Sequence, residues 1–175
     1  MVVTRVSDVS DLLTKARQDP HKSFPAILKL ATSEDWKERE VAASLLVEAS
    51  KKKPDEIVAE MILWADNSNP NVRRTASEGL RDVARKRPEL VLRVIAKLKA
   101  DPNLYVKKSV ANVLRNAGNY HPEFVLRVCA DWAKEGNADT AWIIKDGLRK
   151  LKVSDPDKVA KVMASVKYVI TQAKA

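Results

Sequence analysis

The chain is poor in the residues that form turns, disulfides and metal sites. Of its 175 residues, four are glycine, one is cysteine and two are histidine. So few glycines argue against a turn-rich all-β fold, and no glycine-rich phosphate-binding loop is present. Cys129 alone cannot form an internal disulfide, and His21 and His121 are too few for a histidine-based zinc site. We therefore expect no cofactor and no metal site.

Long apolar segments are also lacking. No run of 18 apolar residues occurs, and the N-terminus has no apolar signal segment. We therefore expect a protein that is neither membrane-spanning nor secreted, with the cytoplasm as its location. The apolar share of 45% is nevertheless ordinary, and it is enough for a sizeable core in a single domain over residues 1–175.

Positive charge is in excess. Lys and Arg total 32 and Asp and Glu total 23, which gives a formal net charge of +9 and a pI near 9.7. A surface of this sign attracts polyanions such as nucleic acid or an anionic membrane. The alternative is a basic protein without such a partner, so the positions of the charges must decide.

Proline recurs with a fixed period. Five of the eight prolines are each 34 residues from the next: Pro20, Pro54, Pro88, Pro122 and Pro156. A period of this length indicates a stacked repeat protein. Each of these prolines opens an apolar-periodic segment, as proline at the first position of a helix does.

The apolar residues follow the same period. One column is Leu46, Leu80, Leu114 and Leu148, and another is Ile57, Val91, Val125 and Val159. Further columns lie four positions away within each unit, which is helical periodicity, so each unit is predicted to be two antiparallel helices. We expect the N-caps to be Ser33, Asn69, Asp101 and Asn137.

The pattern predicts an all-α solenoid of about five two-helix repeats. An atypical first unit covers about residues 5–31, and the others cover about 34–66, 69–100, 101–134 and 137–172. Tetratricopeptide and HEAT-like repeats can both have this period. The run Asp-Pro-x-x-x-Val followed by a basic residue resembles the HEAT pattern, whereas the Gly-x-x-Tyr element of tetratricopeptides does not recur.

Basic residues recur once per unit in two stripes. We take Pro70 to Lys86 as one continuous helix, on which Val72 and Ala76 face the core and Arg74 and Arg81 face away. The flank stripe is Arg5, Arg39, Arg73 and Lys107. The outward stripe is Glu40, Arg74, Lys108 and Trp142, with Arg81, Arg115 and Arg149 beside it.

The two stripes have different explanations. A basic residue in the flank position commonly pairs with a neighbouring loop in HEAT repeats, so a structural role competes with nucleic-acid binding there. The outward stripe can follow a nucleic-acid backbone. The candidate nucleic-acid-binding residues are Arg39, Arg73, Arg74, Arg81, Lys107, Lys108, Arg115, Lys145 and Arg149.

The four tryptophans divide into two groups. Trp64 and Trp132 share a column two repeats apart and are predicted to pack in the core. Trp36 begins a helix among charged residues, and Trp142 lies on the outward face. Either could stack on a base or sugar, or could cover the seam between two repeats.

At these residues the sequence resembles the HEAT-like DNA alkylation repair family, which includes N-alkylpurine DNA glycosylases. The similarity is greatest in Leu104–Asn112, His121-Pro122-Glu123, Trp132–Asn137 and Trp142–Leu151, and weaker similarity extends back to Trp36. The resemblance implies a solenoid that holds DNA in its concave face. It also implies that a carboxylate and an arginine assist cleavage of the N-glycosidic bond.

The resemblance can be carried over residue by residue. Arg74 matches the family arginine, whereas the family carboxylate falls on Arg39 and the later family tryptophan on Asn112. Glu40 follows Arg39 directly, so a slip of one residue would restore a carboxylate. If Arg39 faced the lesion, repulsion of the developing positive charge would cost about 4 kcal/mol, or nearly three decades in rate.

Two hypotheses remain from the sequence. The first is a protein that binds double-stranded DNA through a basic concave face and excises alkylated purines, with Glu40 and Arg74 as candidate catalytic residues and Trp36 and Trp142 as stacking residues. Asp139 and Asp146 are the other carboxylates near the stripe. The alternative is a non-enzymatic scaffold that binds an acidic protein partner. Membrane association lacks an apolar amphipathic anchor.

Overall fold

The computed structural model describes residues 6–172, apart from the side chains of Val6, Ser7 and Ile170. Arg5 of the flank stripe therefore lies outside the described residues. The described chain is all-α, as predicted. In order, its helices are α1 (Val6–Gln18), α2 (Pro20–Ala31), α3 (Trp36–Ser50), α4 (Pro54–Trp64), α5 (Pro70–Glu78), α6 (Val83–Lys86), α7 (Pro88–Leu98), α8 (Leu104–Gly118), α9 (Pro122–Ala133), α10 (Ala138–Gly147), α11 (Leu151–Ser154) and α12 (Pro156–Gln172).

The helices form five stacked pairs. The first helices of the five pairs are α1, α3, α5, α8 and α10, where the short helix α6 continues α5 and the short helix α11 continues α10. The second helices of the pairs are α2, α4, α7, α9 and α12. Every second helix begins at one of the five periodic prolines. Proline suits this position because its fixed φ is already helical and the missing N–H would have had no helical partner.

Four of the first helices, α3, α5, α8 and α10, begin at asparagine or aspartate caps. Asn69 and Asn137 cap their helices as predicted, and their side chains accept hydrogen bonds from backbone N–H groups of the first turn. In the two other units the prediction was wrong by two residues. Asp35 and Asn103 are the caps, whereas Ser33 and Asp101 instead accept the N–H groups of those caps at 3.0 and 2.8 Å.

The helix predicted from Pro70 to Lys86 is interrupted. It ends at Glu78 and resumes at Val83, and the intervening turn is tightened by hydrogen bonds from Leu80 and Arg81 to carbonyls three residues earlier. The interruption begins at Gly79, where an added Cβ would lie 2.7 Å from Leu46 Cβ. The absence of a side chain thus lets α3 and α5 approach closely.

At three of the four seams between neighbouring units the first helices make more extensive contacts than the second helices do, and the seam between α3 and α5 is the exception. A stack that is tighter on one side curves toward that side, so we call the row of first helices the inner row and its solvent side the inner face. Between the two rows lies a continuous apolar core that includes all four leucines of the predicted column. Trp64 and Trp132 are buried in that core, as predicted.

Within the described part of the chain, no helix has both the length and the apolar character needed to cross a membrane.

Candidate nucleic-acid interface on the inner face

The centre of the inner face is an ion-pair cluster between α3 and α5. Glu40 Oε2 lies 3.7 Å from Arg74 Nη2, and Glu40 Oε1 lies 3.5 Å from Arg81 Nη1. The Glu40 side chain is 44% exposed, and both arginines are partly exposed. These distances are long for a charge-assisted hydrogen bond, so the two guanidinium groups keep donors for an incoming anion.

Glu78 is a member of this cluster that the sequence reasoning missed. It lies one helical turn after Arg74, and its Oε2 is 3.8 Å from Arg81 Nη1. Its side chain is only 14% exposed. Burial raises the pKa of Glu78 above its usual range, and nearby Glu40 acts in the same direction, whereas Arg74, Arg81 and the Asn112 side chain oppose the shift.

A signal for Glu78 was present in the sequence. Residues four apart on a helix lie on the same face, so the outward position of Arg74 already places Glu78 beside it. The sequence alone does not show how deeply the packing of α3, α5 and α8 buries this carboxylate.

A second ion-pair group lies between α8 and α10. Arg115 Nη1 donates to Asp146 Oδ2 at 2.6 Å and to the Asp146 carbonyl at 3.2 Å, and the Arg115 side chain is 14% exposed. Arg149 Nη1 lies 3.6 Å from the other oxygen of Asp146. Arg115 Nη2 also donates to Oδ1 of Asn112, the position of the family tryptophan, at 3.4 Å. Arg115 is therefore largely occupied, whereas Arg149 is exposed.

Lys108 and Lys145 are exposed, and neither has an ion-pair partner among the described residues. The Lys108 Nζ lies 5.7 Å from the centre of the exposed Tyr105 ring. Lys108 thus offers an unpaired cation to the inner face. Lys145 lies beyond this face, in a groove at the end of the stack together with Arg149.

The flank stripe is held by contacts within the chain. Arg39 Nη1 donates to the carbonyls of Ser33 and Glu34 at 2.7 and 2.9 Å. Arg73 donates to two carbonyls of the corresponding loop and binds Asp101 at 2.6 Å.

Lys107 completes this pattern, because it donates to Asp139 at 2.6 Å. These geometries favour the structural explanation of the flank stripe over phosphate binding. They also direct Arg39 toward the loop before α3, so that Glu40, and not Arg39, lies beside Arg74.

The two candidate stacking tryptophans have different surroundings. Trp36 is 63% exposed and borders a groove of about 300 Å³ between α1 and α3, which Glu40 also lines. Trp142 is partly buried against the core, and Lys107 Nζ lies 5.7 Å from its ring centre. Trp36 is thus open to a ligand beside Glu40, whereas Trp142 covers the seam between two units.

The arrangement can bind a phosphate backbone and can stabilise positive charge. Arg74 lies on α5, Arg81 lies in the turn after it, and Lys108 lies on the neighbouring inner helix α8; packed helices are about 8–10 Å apart. Such a row of cations can follow a strand of nucleic acid. Within this row Glu40 supplies an accessible carboxylate, which stabilises a cation that forms beside it.

The chain resembles known proteins in sequence and in fold. A family model described as DNA alkylation repair enzyme matches residues 9–151. Among solved structures, the fold is similar to the alkylpurine DNA glycosylase AlkC of Pseudomonas fluorescens, bound to DNA containing an abasic site analog, with a TM-score of 0.73 and 29% identity. The similarity covers 89% of this chain and 44% of that one, so the chain spans less than half the length of that glycosylase. The comparison with curated proteins finds no match.

Proposed function

Because the chain belongs to the DNA alkylation repair enzyme family, we propose that it binds double-stranded DNA on its inner face and excises alkylated purines there. The family match over residues 9–151 confirms the resemblance seen in the sequence. The cytoplasm, as expected from the sequence, is the proposed location. The observation that carries the proposal is the position of Glu40, which lies beside Arg74 and the exposed Trp36.

The reaction is hydrolysis of the bond between C1′ of the deoxyribose and a ring nitrogen of the purine. When that bond breaks, its electron pair leaves with the base and neutralises the positive charge that alkylation had placed on the ring. Positive charge then develops on the sugar, and the carboxylate of Glu40 stabilises it. Water adds to C1′, and its proton passes to Glu40 or to solvent.

The arginines have a positioning role in this proposal. Arg74 and Arg81 bind the phosphates next to the lesion, in place of their long ion pairs with Glu40. Lys108, which has no ion-pair partner among the described residues, extends this contact along the strand. Arg39, Arg73 and Lys107 are left out of the phosphate-binding set, because each of them already donates to a partner within the chain.

The proposed catalytic role of Glu40 is tested by release of alkylated bases from methylated duplex DNA. We expect Glu40→Gln to lower the release rate by about 10²- to 10³-fold while DNA binding is retained, since only the charge is removed. Glu38→Gln, on the same helix and two residues earlier, is the matched control and is expected to release bases at the parent rate. Binding is measured on the same DNA by fluorescence anisotropy.

Each other outcome has a defined meaning. Release by Glu40→Gln at the parent rate would remove Glu40 from the mechanism. If the parent protein binds the duplex without releasing bases, the DNA-binding part of the proposal is supported and the enzymatic part is rejected. A parent that neither binds nor releases would reject both parts.

A further inference from the structure

The end of the stack carries a groove that is separate from the Glu40 cluster. It lies between α10, α11 and α12 and has a volume of about 480 Å³. Its floor is apolar and includes Leu148, Val159 and Met163. Its rim is basic and consists of Lys145, Arg149, Lys152 and Lys167.

Two of the rim lysines occupy repeat positions at which the earlier units have small, buried residues. At steps of 34 residues, Lys145 corresponds to Ala43, Ser77 and Ala111, each of them at most 1% exposed. In the same way Lys152 corresponds to Ser50, Ala84 and Gly118, which are also buried. In the interior of the stack these small residues allow the next unit to pack closely.

The last unit therefore combines the apolar surface of an interior unit with charges that an interior unit lacks. A further repeat packed in the same register would bury the ammonium groups of Lys145 and Lys152, which is strongly unfavourable without partners. The floor nonetheless retains aliphatic residues at the positions that the next unit covers elsewhere, with Met163 partly exposed and Ala160 and Ala164 exposed.

The charges of the rim are mostly uncompensated. Of the four basic residues, Arg149 lies 3.6 Å from Asp146. Among the described residues, Lys145, Lys152 and Lys167 have no ion-pair partner, and the groove has no acidic residue in its lining. An occupant that complements this groove is apolar along its middle and acidic along its edges.

We propose that this groove at the end of the stack docks an amphipathic helix of a partner protein, one with aliphatic residues on one face and glutamate or aspartate along its flanks. An amphipathic helix laid in an apolar groove is a common mode of peptide recognition. The apolar floor favours this occupant over a nucleic-acid strand, because a phosphate backbone gains nothing from contact with Val159 and Met163. The proposal is independent of base excision at Glu40.

The test uses a fluorescein-labelled synthetic helix with leucine and alanine on one face and glutamate along both flanks. Its control is a scrambled peptide of identical composition without an amphipathic face. We expect the full chain to raise the fluorescence anisotropy of the first peptide and not of the second. The double variant Lys145→Ala, Lys152→Ala restores a small residue at both repeat positions, and we expect it to weaken binding at least about tenfold.

A second double variant controls for net charge. Lys29→Ala, Arg93→Ala removes two exposed cations from α2 and α7, neither of which lines the groove, and is expected to bind the peptide like the parent. Circular dichroism verifies that both double variants are folded.

Three results would overturn the proposal. One is equal binding of the amphipathic and scrambled peptides, and another is equal weakening by the two double variants. The third is that unmethylated duplex DNA displaces the peptide and that binding of this DNA is itself weakened by the Lys145→Ala, Lys152→Ala double variant. That result would identify the groove as part of the nucleic-acid interface.

Discussion

At the scale of single residues, neighbouring positions on one helix have opposite roles. Arg39 and Glu40 are adjacent in sequence, but side chains of consecutive helical residues point about 100° apart. Arg39 donates to the carbonyls of Ser33 and Glu34, whereas Glu40 lies beside Arg74 on the inner face. The sequence raised both alternatives and could not choose between them, because the choice depends on where the loop before α3 places its carbonyl groups.

The burial of Glu78 leads to a prediction about pH. A carboxyl group whose pKa is raised on folding contributes stability at low pH, and this contribution is lost as the pH rises through the folded-state pKa. Glutamine resembles the protonated form, so we expect Glu78→Gln to be more stable than the parent at pH 7. The difference should shrink as the pH falls through the raised folded-state pKa of Glu78, and it should be lost below the ordinary pKa of glutamate.

Urea unfolding followed by circular dichroism at several pH values measures this difference. A variant that is less stable than the parent at pH 7 would mean that attraction by Arg74 and Arg81 outweighs the effect of burial.

Arg73 and Arg74 allow the two stripes to be separated experimentally. Arg73 forms a short ion pair with Asp101, whose side chain is only 6% exposed. Removal of one partner of a buried pair leaves the other charge uncompensated, so we expect Arg73→Ala to lower the free energy of unfolding by about 3 kcal/mol. Arg74→Ala, which removes a long and partly exposed pair, is the matched control and should change stability by less than about 1 kcal/mol.

Denaturant unfolding of both variants tests this contrast. Equal stability of Arg73→Ala and the parent would contradict the structural role of the flank stripe.

At the scale of helices, the periodic prolines determined most of what could be predicted. Pro54, Pro88 and Pro122 begin second helices, as the sequence predicted, because proline excludes the residue before it from the helix and suits the first position. The caps were harder to place. In the loops before α3 and α8, two polar side chains separated by one residue each accept the N–H group two residues later. Both Ser33 and Asp35 therefore fit the sequence pattern of a cap.

The interruption after α5 gives a prediction about packing between helices. In Gly79→Ala the new Cβ would lie 2.7 Å from Leu46 Cβ and 2.9 Å from Leu46 Cδ1. Since a Cβ cannot rotate away, α3 and α5 must separate, and we expect a loss of about 1–3 kcal/mol in stability. Gly118→Ala, whose Cβ would lie 3.2 Å from the mobile end of Leu151, is the control and should cost less.

Thermal unfolding of the two variants ranks these losses. A Gly79→Ala variant as stable as Gly118→Ala would show that α3 and α5 separate without a penalty. This contact could not be predicted from the sequence, because the close approach of Gly79 and Leu46 arises only when two units stack.

At the scale of the whole molecule, the repeat accounts for both the fold and the direction of the charged surface. Residues 34 positions apart occupy equivalent places in successive units. Once the core-facing side of one helix is known, the core-facing sides of the equivalent helices in the other units can therefore be predicted. Comparison of the units could also have shown that Lys145 and Lys152 replace small residues. The ion-pair partners could not be predicted, since they depend on the distance between stacked helices, which the small residues at the seam set.

The net charge of +9 predicts that the proposed DNA binding depends on salt. Each phosphate neutralised by a protein cation contributes about 0.9 to the slope of log K against log salt concentration. Lys108 has no ion-pair partner among the described residues, and Arg74 has only the long pair with Glu40. We therefore expect Arg74→Ala and Lys108→Ala each to reduce the magnitude of the slope by about 0.9 on duplex DNA.

Anisotropy titrations with a labelled unmodified duplex across a range of salt concentrations measure these slopes. Lys29→Ala, which removes an exposed cation from the second helix of its unit, is the matched control and should leave the slope unchanged. Because the unmodified duplex contains no lesion, this measurement tests DNA binding separately from base excision. Parent-like slopes in both Arg74→Ala and Lys108→Ala would mean that DNA does not contact the inner face, whatever activity Glu40 supports.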